Sequence, residues 1–361
     1  MLKSLMTSKT EFKGSVLNDL VNSIFQELLI FFVTFRFKYR LLCRSFMGES
    51  GNRRILITGA LGQIGMELLD ALQAKFGSQN VIASDIRDSK EVGDSGFRYE
   101  RLDVLDSEQM ENIIRDNDIN EVYHLAALLS ATGEKNPKLC WKINMDGLMN
   151  VLELARKYKF RIFAPSSIAV FGADVGKIAK QESALNPATM YGITKVAGEL
   201  MADYYHSAHG VDIRGLRYPG LISWKVMPGG GTTDYAVEIF HKAVASETYT
   251  CFVREDTKLP MMYMDDAIKA TLQLMDAPSD KLSVRGGYNL PSLTFTAKEL
   301  YDKIREKIPD FECEFVPDHR QLYADSWPDE TDGTLSEEEW DFSLDFDLDS
   351  MCDVMIQSLS Q

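Results

Sequence analysis

Clustered cysteines, metal-spaced histidines and long apolar segments are all scarce in this sequence, and each shortage excludes a class of protein. The five cysteines are scattered and include no Cys-x-x-Cys pair, which argues against a disulfide-rich secreted domain and a cysteine-rich zinc site. The five histidines show no metal-ligand spacing, since His206 and His209 lack a neighbouring carboxylate in a ligand pattern. We therefore expect reduced thiols and no metal.

Basic surface charge is also in short supply. The net charge is −15, and residues 310–361 carry sixteen acids against the single base Arg320, so the rest of the chain is about neutral. Neither part resembles a surface for phosphate backbones. We expect a small-molecule substrate and no nucleic acid.

The first 52 residues differ from the rest and are interpreted as an N-terminal extension. The first fifty carry seven Lys or Arg against four acids, with an apolar run at Leu28–Phe35. A run of eight residues cannot span a bilayer, which needs about 20. A basic, serine-containing leader is typical of mitochondrial import, whereas Glu11, Asp19 and Glu27 argue against it. Met47 as the true start is the other interpretation, so mitochondrial and cytoplasmic locations both stay open.

A strand, a glycine-rich turn and a helix follow the extension. Arg54–Thr58 is short and apolar, Gly59, Gly62 and Gly65 form a Gly-x-x-Gly-x-x-Gly turn, and Met66–Phe76 has helical spacing. This order places backbone N–H groups and a helix N-terminus against a pyrophosphate. The pattern predicts a dinucleotide-binding unit.

An acid at the end of the second predicted strand indicates which dinucleotide binds. The strand 80–84 is followed by Asp85, twenty residues after Gly65. A carboxylate there binds a ribose 2′-hydroxyl and repels a 2′-phosphate, which favours NAD over NADP. Arg87, two residues later, could soften this preference.

Strands and helices continue to alternate up to residue 217. This alternation predicts an α/β fold, a Rossmann-type doubly wound parallel sheet with helices on both faces. The predicted strands are 97–102, 121–127, 160–164 and 211–217, and the predicted helices are 107–117, 137–158 and one from about Tyr191 to His209. Asp106 and Ser107 are expected to cap the first of these helices, with Ile113 and Ile114 facing inward.

Tyr191 and Lys195 stand one turn apart on the last of these helices. A phenol titrates near pH 10, and a nearby ammonium lowers that pKa. The pair is therefore suited to accept a proton from an alcohol.

Together these motifs resemble the extended short-chain dehydrogenase/reductase family. The glycine turn, the acid after the second strand, Ser166-Ser-Ile-Ala-Val-Phe-Gly172 and Tyr-x-x-x-Lys cover residues 53–219 without a gap. Within that family, the glycine turn itself, Tyr218–Ser223, Gly229–Ala236 and Asp325–Pro328 are similar to NAD-dependent L-threonine 3-dehydrogenases of short-chain type. The resemblance then extends over nearly all of the chain after residue 52.

The resemblance implies a role for each site residue. Tyr191 would take the hydroxyl proton, Lys195 would lower its pKa and hold the nicotinamide ribose, and Ser167, with Ser166 as the alternative, would bind the substrate oxygen. The implied NAD contacts are Gly59, Gly62, Gln63, Ile64, Gly65, Asp85, Arg87, Asp103 and Val104 (adenine), Leu125, Ala126, Ala127, Asn144 (which also supports the active-site helix), Tyr191, Lys195, Tyr218 and Pro219. The implied substrate contacts are Ser130, Ser167, Tyr191, Thr232, Thr233 and Trp327, where the two threonines are alternatively helix caps.

The implied organisation has an extension, 1–52, an NAD-binding domain, 53–218, and a mainly substrate-binding part, 219–361. Residues 262–275 return to the NAD-binding domain, and the helix 233–246 belongs to the smaller part. A homodimer is implied, with the helices 137–158 and 191–209 of both subunits in a four-helix contact.

The implied reaction is oxidation of L-threonine by NAD to 2-amino-3-ketobutyrate, which tends to lose CO₂ to give aminoacetone. A nucleotide-sugar epimerase or dehydratase shares the same motifs and is the first alternative, although the acidic C-terminal part disfavours a diphosphate-linked substrate. A non-catalytic NAD-binding scaffold is the second alternative, although such proteins commonly lose the tyrosine.

Overall fold

In the computed structural model, the described residues are 53–92, 96–227 and 229–361. The extension lies outside these ranges, so the leader, its import and the alternative start at Met47 stay predictions. Within the described ranges, no helix is long and apolar enough to cross a bilayer.

Strands and helices alternate through the first half of the described chain. The strands are β1 Ile55–Thr58, β2 Val81–Asp85, β3 Arg98–Arg101, β4 Glu121–His124, β5 Arg161–Phe163, β6 Ser166–Ser167, β7 Ile178–Ala179, β8 Ile213–Arg214, β9 Leu216–Tyr218, β10 Gly220–Ile222, β11 Tyr249–Cys251, β12 Lys258–Tyr263, β13 Tyr288–Asn289, β14 Leu293–Thr296, β15 Cys313–Phe315 and β16 Glu330–Thr331. The helices are α1 Gln63–Phe76, α2 Ser89–Val92, α3 Ser107–Asp116, α4 Ser130–Lys135, α5 Pro137–Trp141, α6 Gly147–Tyr158, α7 Met190–His209, α8 Tyr235–Val244, α9 Met264–Asp276, α10 Ala297–Lys307, α11 Arg320–Ala324, α12 Thr334–Trp340 and α13 Leu348–Leu359.

The central sheet has the strand order β3-β2-β1-β4-β5-β8. Each neighbouring pair in it is parallel. Every residue of β1, β2 and β4 is buried, which explains why these strands are mostly apolar. The chain order reverses between β1 and β4, so a crevice for a ligand opens beyond their carboxyl ends. The predicted doubly wound α/β fold is confirmed.

The predicted strand 211–217 is two strands. Gly215 separates β8, which ends the central sheet, from β9, which lies between β6 and β13 in a second parallel sheet. A Cβ atom at Gly215 would lie 2.6 Å from the carbonyl oxygen of Ala164. The backbone therefore leaves no room for a side chain at the residue where the chain passes from one sheet to the other.

The predicted helix 137–158 is interrupted by a π-helical turn, Lys142–Asp146, between α5 and α6. Such turns are frequent at functional sites. This one contains Asn144, one of the predicted site residues. The prediction for α3 agrees better with the structure than that for residues 137–158. As predicted, Asp106 caps this helix, since its side chain accepts a hydrogen bond from the Gln109 N–H.

Two cores organise the rest of the described chain. The helix α9 packs with Leu68 and Leu72 of α1 in one core, while α8, α10 and α13 share a second core with β11 and β12. The acidic end of the chain contributes to both cores, because Trp340 and Phe342 pack in the first and Met351, Cys352 and Met355 pack in the second. The predicted division near residue 218 stays a prediction.

Candidate active site

The glycine turn after β1 lies at the crevice between β1 and β4. Gly59 has a φ of +68°, and a Cβ atom there would lie 2.7 Å from the backbone nitrogen of Ala126. The helix α1 starts at Gln63 without a side-chain cap or an acid in its first turn. Its N–H groups and dipole therefore suit a pyrophosphate. The side-chain nitrogen of Gln63 is buried without a hydrogen-bond partner, so this turn fits a dinucleotide.

Asp85 ends β2 beside the same turn. Its carboxylate accepts hydrogen bonds from the Leu61 N–H at 3.3 Å and from Nε of Arg87 at 3.2 Å. A second guanidinium nitrogen of Arg87 donates to the Leu61 carbonyl at 2.8 Å. The acid therefore restrains Arg87, which accounts for how both residues can stand at an NAD site.

Asp103 and Val104 follow β3 but differ in their surroundings. The Asp103 carboxylate accepts a hydrogen bond from the Leu105 N–H at 3.0 Å. Val104 is 6% exposed, and its side chain packs against Gly147. The side chain of Val104 therefore lies in the core, which leaves little of it for the adenine contact that we expected.

His124 ends β4, and the predicted residues Leu125, Ala126 and Ala127 follow it. Nδ1 of His124 lies 2.9 Å from the Thr58 hydroxyl. Burial, and then the charge of Lys195, lower the His124 pKa to about 3, so this ring is neutral. A cavity of about 40 Å³ lies beside these residues. Its lining includes His124, Ala126, Ala127, Asn144, Ser166 and Lys195.

Asn144 connects the segment after β4 to α7, the helix that carries Tyr191 and Lys195. Its amide bonds to the N–H of Leu128 at 2.7 Å and to the carbonyl of Leu128 at 3.1 Å. The same amide donates to the Thr194 hydroxyl at 3.0 Å. Since Thr194 stands between Tyr191 and Lys195, this contact agrees with the expected support of the active-site helix.

Tyr191 and Lys195 lie next to the segment that joins β5 to β6. The Ser167 side chain lies beside the Tyr191 hydroxyl and lowers the pKa of that phenol, against the larger effect of burial. Nζ of Lys195 donates to the Pro165 carbonyl at 2.7 Å and lies 5.4 Å from the centre of the Tyr191 ring. Ser166 is buried and donates its hydroxyl to Glu199. Of the two serines, Ser167 is the one beside the phenol.

Burial dominates the ionisation of this pair. It raises the pKa of Tyr191 to about 12, against the opposing effect of the Ser167 hydrogen bond. It also lowers the pKa of Lys195 to about 8. The expectation that Lys195 brings the Tyr191 pKa below its ordinary value therefore differs from the structure, because both groups lose solvation and each favours its neutral form.

The glycine-rich loop, Gly229–Gly231, is followed by Thr232 and Thr233, and these two threonines do not cap α8. That helix starts at Tyr235, and its N-cap residue, Asp234, makes no capping bond. The Asp234 carboxylate instead accepts hydrogen bonds from the N–H groups of Gly230 at 2.7 Å and Gly231 at 2.5 Å. The predicted helix start at residue 233 was therefore two residues early, and neither Thr232 nor Thr233 acts as the cap.

The remaining predicted contacts lie on different elements. Tyr218 is 4% exposed, with its hydroxyl on Thr271 and its ring 6.2 Å from that of Phe163. Its ring is therefore in the core, which leaves the backbone of Tyr218 and Pro219 to flank a nicotinamide. Ser130 begins α4. Trp327 packs against both the second core and the cluster around Phe171.

Sequence reasoning missed four buried or partly buried polar residues near the site. Glu199, on α7, and Arg217, on β9, form a buried ion pair. Glu134 accepts a hydrogen bond from the Met190 N–H at 2.6 Å, at the start of that helix. His124 is the fourth. The spacing of Glu199, one turn after Lys195, was a signal that could have identified it.

Comparisons with known proteins decide the family. The family model for the NAD dependent epimerase/dehydratase family matches residues 55–290. The chain belongs to this family. An uncharacterised epimerase/dehydratase of Staphylococcus aureus (strain MRSA252) is 48% identical over 314 residues, which cover 86% of this chain and 97% of the relative.

Solved structures of family members match this chain closely. The holo form of a GalE-like L-threonine dehydrogenase from Cupriavidus necator is 48% identical with a TM-score of 0.83, covering 85% of this chain and 99% of that one. A monomeric L-threonine 3-dehydrogenase from a metagenome is 52% identical with a TM-score of 0.82, covering 85% and 98%. The predicted resemblance, the prediction of an enzyme and that of NAD as its cofactor are confirmed.

Proposed function

We propose that this protein oxidises the 3-hydroxyl group of L-threonine with NAD to give 2-amino-3-ketobutyrate. The observation that carries the proposal is the grouping of Ser167, Tyr191 and Lys195 in a chain that is 48% identical to an L-threonine dehydrogenase over 99% of that protein. The same three residues suit removal of a proton from a secondary alcohol.

Ser167 and Tyr191 form the oxygen-binding part of the site. The Ser167 side chain lies beside the Tyr191 hydroxyl, so a substrate hydroxyl beside both can donate to one and accept from the other. Ser167 holds the oxygen and Tyr191 receives its proton. A positioned proton acceptor of this kind contributes about 10²–10⁴-fold to a rate.

Lys195 completes the proton-accepting unit. Its ammonium donates to the Pro165 carbonyl, and an ammonium fixed near the phenol stabilises a phenolate while a proton is transferred. The glycine turn and Asp85 would hold NAD, whose nicotinamide would supply the acceptor for the hydride. Thr232, Thr233, Ser130 and Trp327 are the residues we propose to contact the amino acid itself.

One assay tests the function directly. Purified protein is mixed with NAD and L-threonine while NADH absorbance is followed, and UDP-sugars serve as the alternative substrates of an epimerase or dehydratase. NADH formed from threonine supports the proposal. Turnover of a UDP-sugar with none of threonine contradicts it.

A matched pair of variants tests the role of Tyr191. Tyr191→Phe should keep NAD binding and lose about 10²–10⁴-fold in kcat, because only the proton acceptor is removed. Tyr204→Phe is the control, since Tyr204 stands on the same helix and is 57% exposed. A normal kcat in Tyr191→Phe would refute the assignment.

We also propose that two copies of the chain associate through α5, α6 and α7. Large apolar side chains are exposed on these helices, and association would remove them from water. They are Leu139, Trp141, Met149, Ile193, Leu200 and Tyr204. One relative is described as monomeric, so the oligomeric state needs its own measurement.

A further inference from the structure

The catalytic helix binds one short segment, residues 165–167, at three successive positions. Lys195 donates to the carbonyl of the first residue, Pro165, Glu199 accepts from the middle one, Ser166, and Tyr191 lies beside the third, Ser167. The three helix residues are spaced by four, so they lie on one face of α7. Tyr191 and Lys195 belong to the proposed proton-accepting unit, whereas Glu199 has no role in it so far.

Glu199 forms a buried, two-pronged ion pair with Arg217. The carboxylate accepts from Nη2 of Arg217 at 2.8 Å and from Nε at 3.0 Å. Glu199 is 7% exposed and Arg217 is 5% exposed. Arg217 also donates to the Gln181 carbonyl at 3.0 Å and to the Asn289 side chain at 3.1 Å. The pair is therefore neutralised and hydrogen bonded, as a buried charge pair requires.

The Glu199–Arg217 ion pair holds β6 and β9, two strands that carry site residues. Ser166 lies opposite Arg217 in the pairing of β6 with β9, and Ser167 lies opposite Tyr218. Through its bonds to Ser166 and Arg217, Glu199 fixes both strands to the catalytic helix. A shift of this contact would move Ser167 relative to Tyr191.

The backbone at Gly287 leaves room for the Glu199 carboxylate but not for a side chain at position 287. A Cβ atom at Gly287 would lie 2.6 Å from the carboxyl carbon of Glu199 and 3.1 Å from Cγ of Arg217. The carboxylate is thus enclosed by backbone on one side and by the guanidinium on the other. Its position is set by packing as well as by charge.

We propose that Glu199 is a positioning residue for the reaction: it holds Ser166 and Arg217 so that Ser167 stays in register with Tyr191. The inference rests on the proposed function. It explains why a carboxylate is buried one turn beyond the catalytic lysine. A displacement of about 1 Å at a reacting group costs on the order of a hundredfold in rate.

Glu199 also adds a charge that faces Lys195. The other titratable groups around Lys195 are Cys140 from α5, His124 from β4 and Tyr191 from its own helix. Burial lowers the Lys195 pKa, while Cys140 and Glu199 raise it. Removal of the Glu199 charge should therefore lower the Lys195 pKa further.

Two variants and one control test the positioning role. Glu199→Gln keeps the shape and removes the charge, and Ser166→Ala removes one hydroxyl with little risk to folding. We expect kcat to fall about tenfold to a hundredfold in Glu199→Gln and by a smaller factor in Ser166→Ala, while KM for both substrates changes less. The control is Asp212→Asn, because the Asp212 carboxylate pairs with Arg214 and Arg285, which are both buried, and not with a residue of the proposed proton-accepting unit.

The control separates positioning from stability. Asp212→Asn should lower thermal stability and keep kcat. Parental kcat in Ser166→Ala, or an equal loss of kcat in Asp212→Asn, would overturn the proposal. If Glu199→Gln does not fold, the Ser166→Ala result decides alone.

A titration of Lys195 tests the effect of the Glu199 charge on the Lys195 pKa and requires no enzymatic turnover. The carbon-13 shift of its Cε atom is followed against pH in lysine-labelled protein and assigned with Lys195→Met. We expect a lower Lys195 pKa in Glu199→Gln than in the parent, and an unchanged pKa would contradict the inference. Failure of the parent to oxidise threonine would refute the proposed function and leave this titration as a valid test.

Discussion

Tyr191 and Lys195 are best understood as one titrating pair. Burial raises the pKa of Tyr191 to about 12 and lowers that of Lys195 to about 8. Interacting groups lose their protons in steps that belong to the pair. The pair therefore loses its first proton near pH 8. The single remaining proton can then lie on either residue, and the reactive state is the one in which Tyr191 is a phenolate and Lys195 is an ammonium.

This pairing predicts the pH dependence of the reaction. Below pH 8 the pair keeps both protons, so kcat/KM should rise about tenfold per pH unit and level off above pH 8. The measurement is kcat/KM for L-threonine between pH 6 and 10, at saturating NAD. A rate that falls as the pH rises from 6 to 8 would contradict this assignment of the proton acceptor.

A second prediction at the level of single residues concerns Asp85 and the preference for NAD over NADP. Asp85→Ala removes the group that repels a 2′-phosphate and releases Arg87 from its bond to that carboxylate, so kcat/KM with NADP should rise relative to NAD. Asp88→Ala is the control, because Asp88 is an exposed acid of the same loop whose carboxylate bonds to the Lys90 N–H. An unchanged NAD to NADP ratio in Asp85→Ala would mean that shape, not this charge, sets the preference.

Among the secondary-structure elements, the sequence predicted those whose signals are local. The glycine turn, α3 with its Asp106 cap and the end of α7 at His209 depend on nearby residues, so their patterns were sufficient. The break at Gly215 depends on a contact with Ala164, 51 positions earlier in the chain. The π-helical turn depends on the bonds of Asn144 to Leu128 and Thr194. Contacts between distant residues leave no periodic signal.

The Asp234 carboxylate accepts two hydrogen bonds from the glycine-rich loop before α8. Asp234→Ala should release the N–H groups of Gly230 and Gly231, and the loop that carries Thr232 and Thr233 would lose its fixed conformation. We expect KM for threonine to rise about tenfold, consistent with ~1.4 kcal/mol, with a smaller change in kcat. Steady-state kinetics at saturating NAD measures both.

Two comparisons sharpen this loop prediction. Asp234→Asn keeps an acceptor oxygen and should show a smaller rise in KM. Asp256→Ala removes an acid whose side chain is 76% exposed and should behave as the parent. A parental KM in Asp234→Ala would show that the loop does not depend on this carboxylate.

For the molecule as a whole, the exposed apolar helices predict association. Leu200 is 65% exposed on α7, and Leu200→Glu should weaken a dimer because a charge would be buried at the contact. Leu322→Glu is the control, since Leu322 is 72% exposed on α11. Sedimentation velocity measures the mass of each variant. A parent that sediments as a monomer at all concentrations would refute the proposed dimer.

The whole fold was more predictable than the site. Alternating strands and helices fix a doubly wound sheet, and that sheet brings the glycine turn, Asp85 and α7 to one edge. Which serine faces Tyr191 was not predictable, because it depends on the bond between Ser166 and Glu199. The packing of the acidic C-terminal end was also not predicted, because its many acidic residues make the buried apolar face of α13 hard to recognise in the sequence.

The central claim is a hydride transfer from C3 of threonine, and a labelled substrate tests it most directly. The protein is incubated with NAD and L-threonine that carries deuterium at C3, and the reduced cofactor is analysed by mass spectrometry. The proposal predicts one deuterium in each NADH formed, together with 2-amino-3-ketobutyrate or aminoacetone. Unlabelled NADH, or no reduction of NAD by threonine while a UDP-sugar is converted, would contradict it.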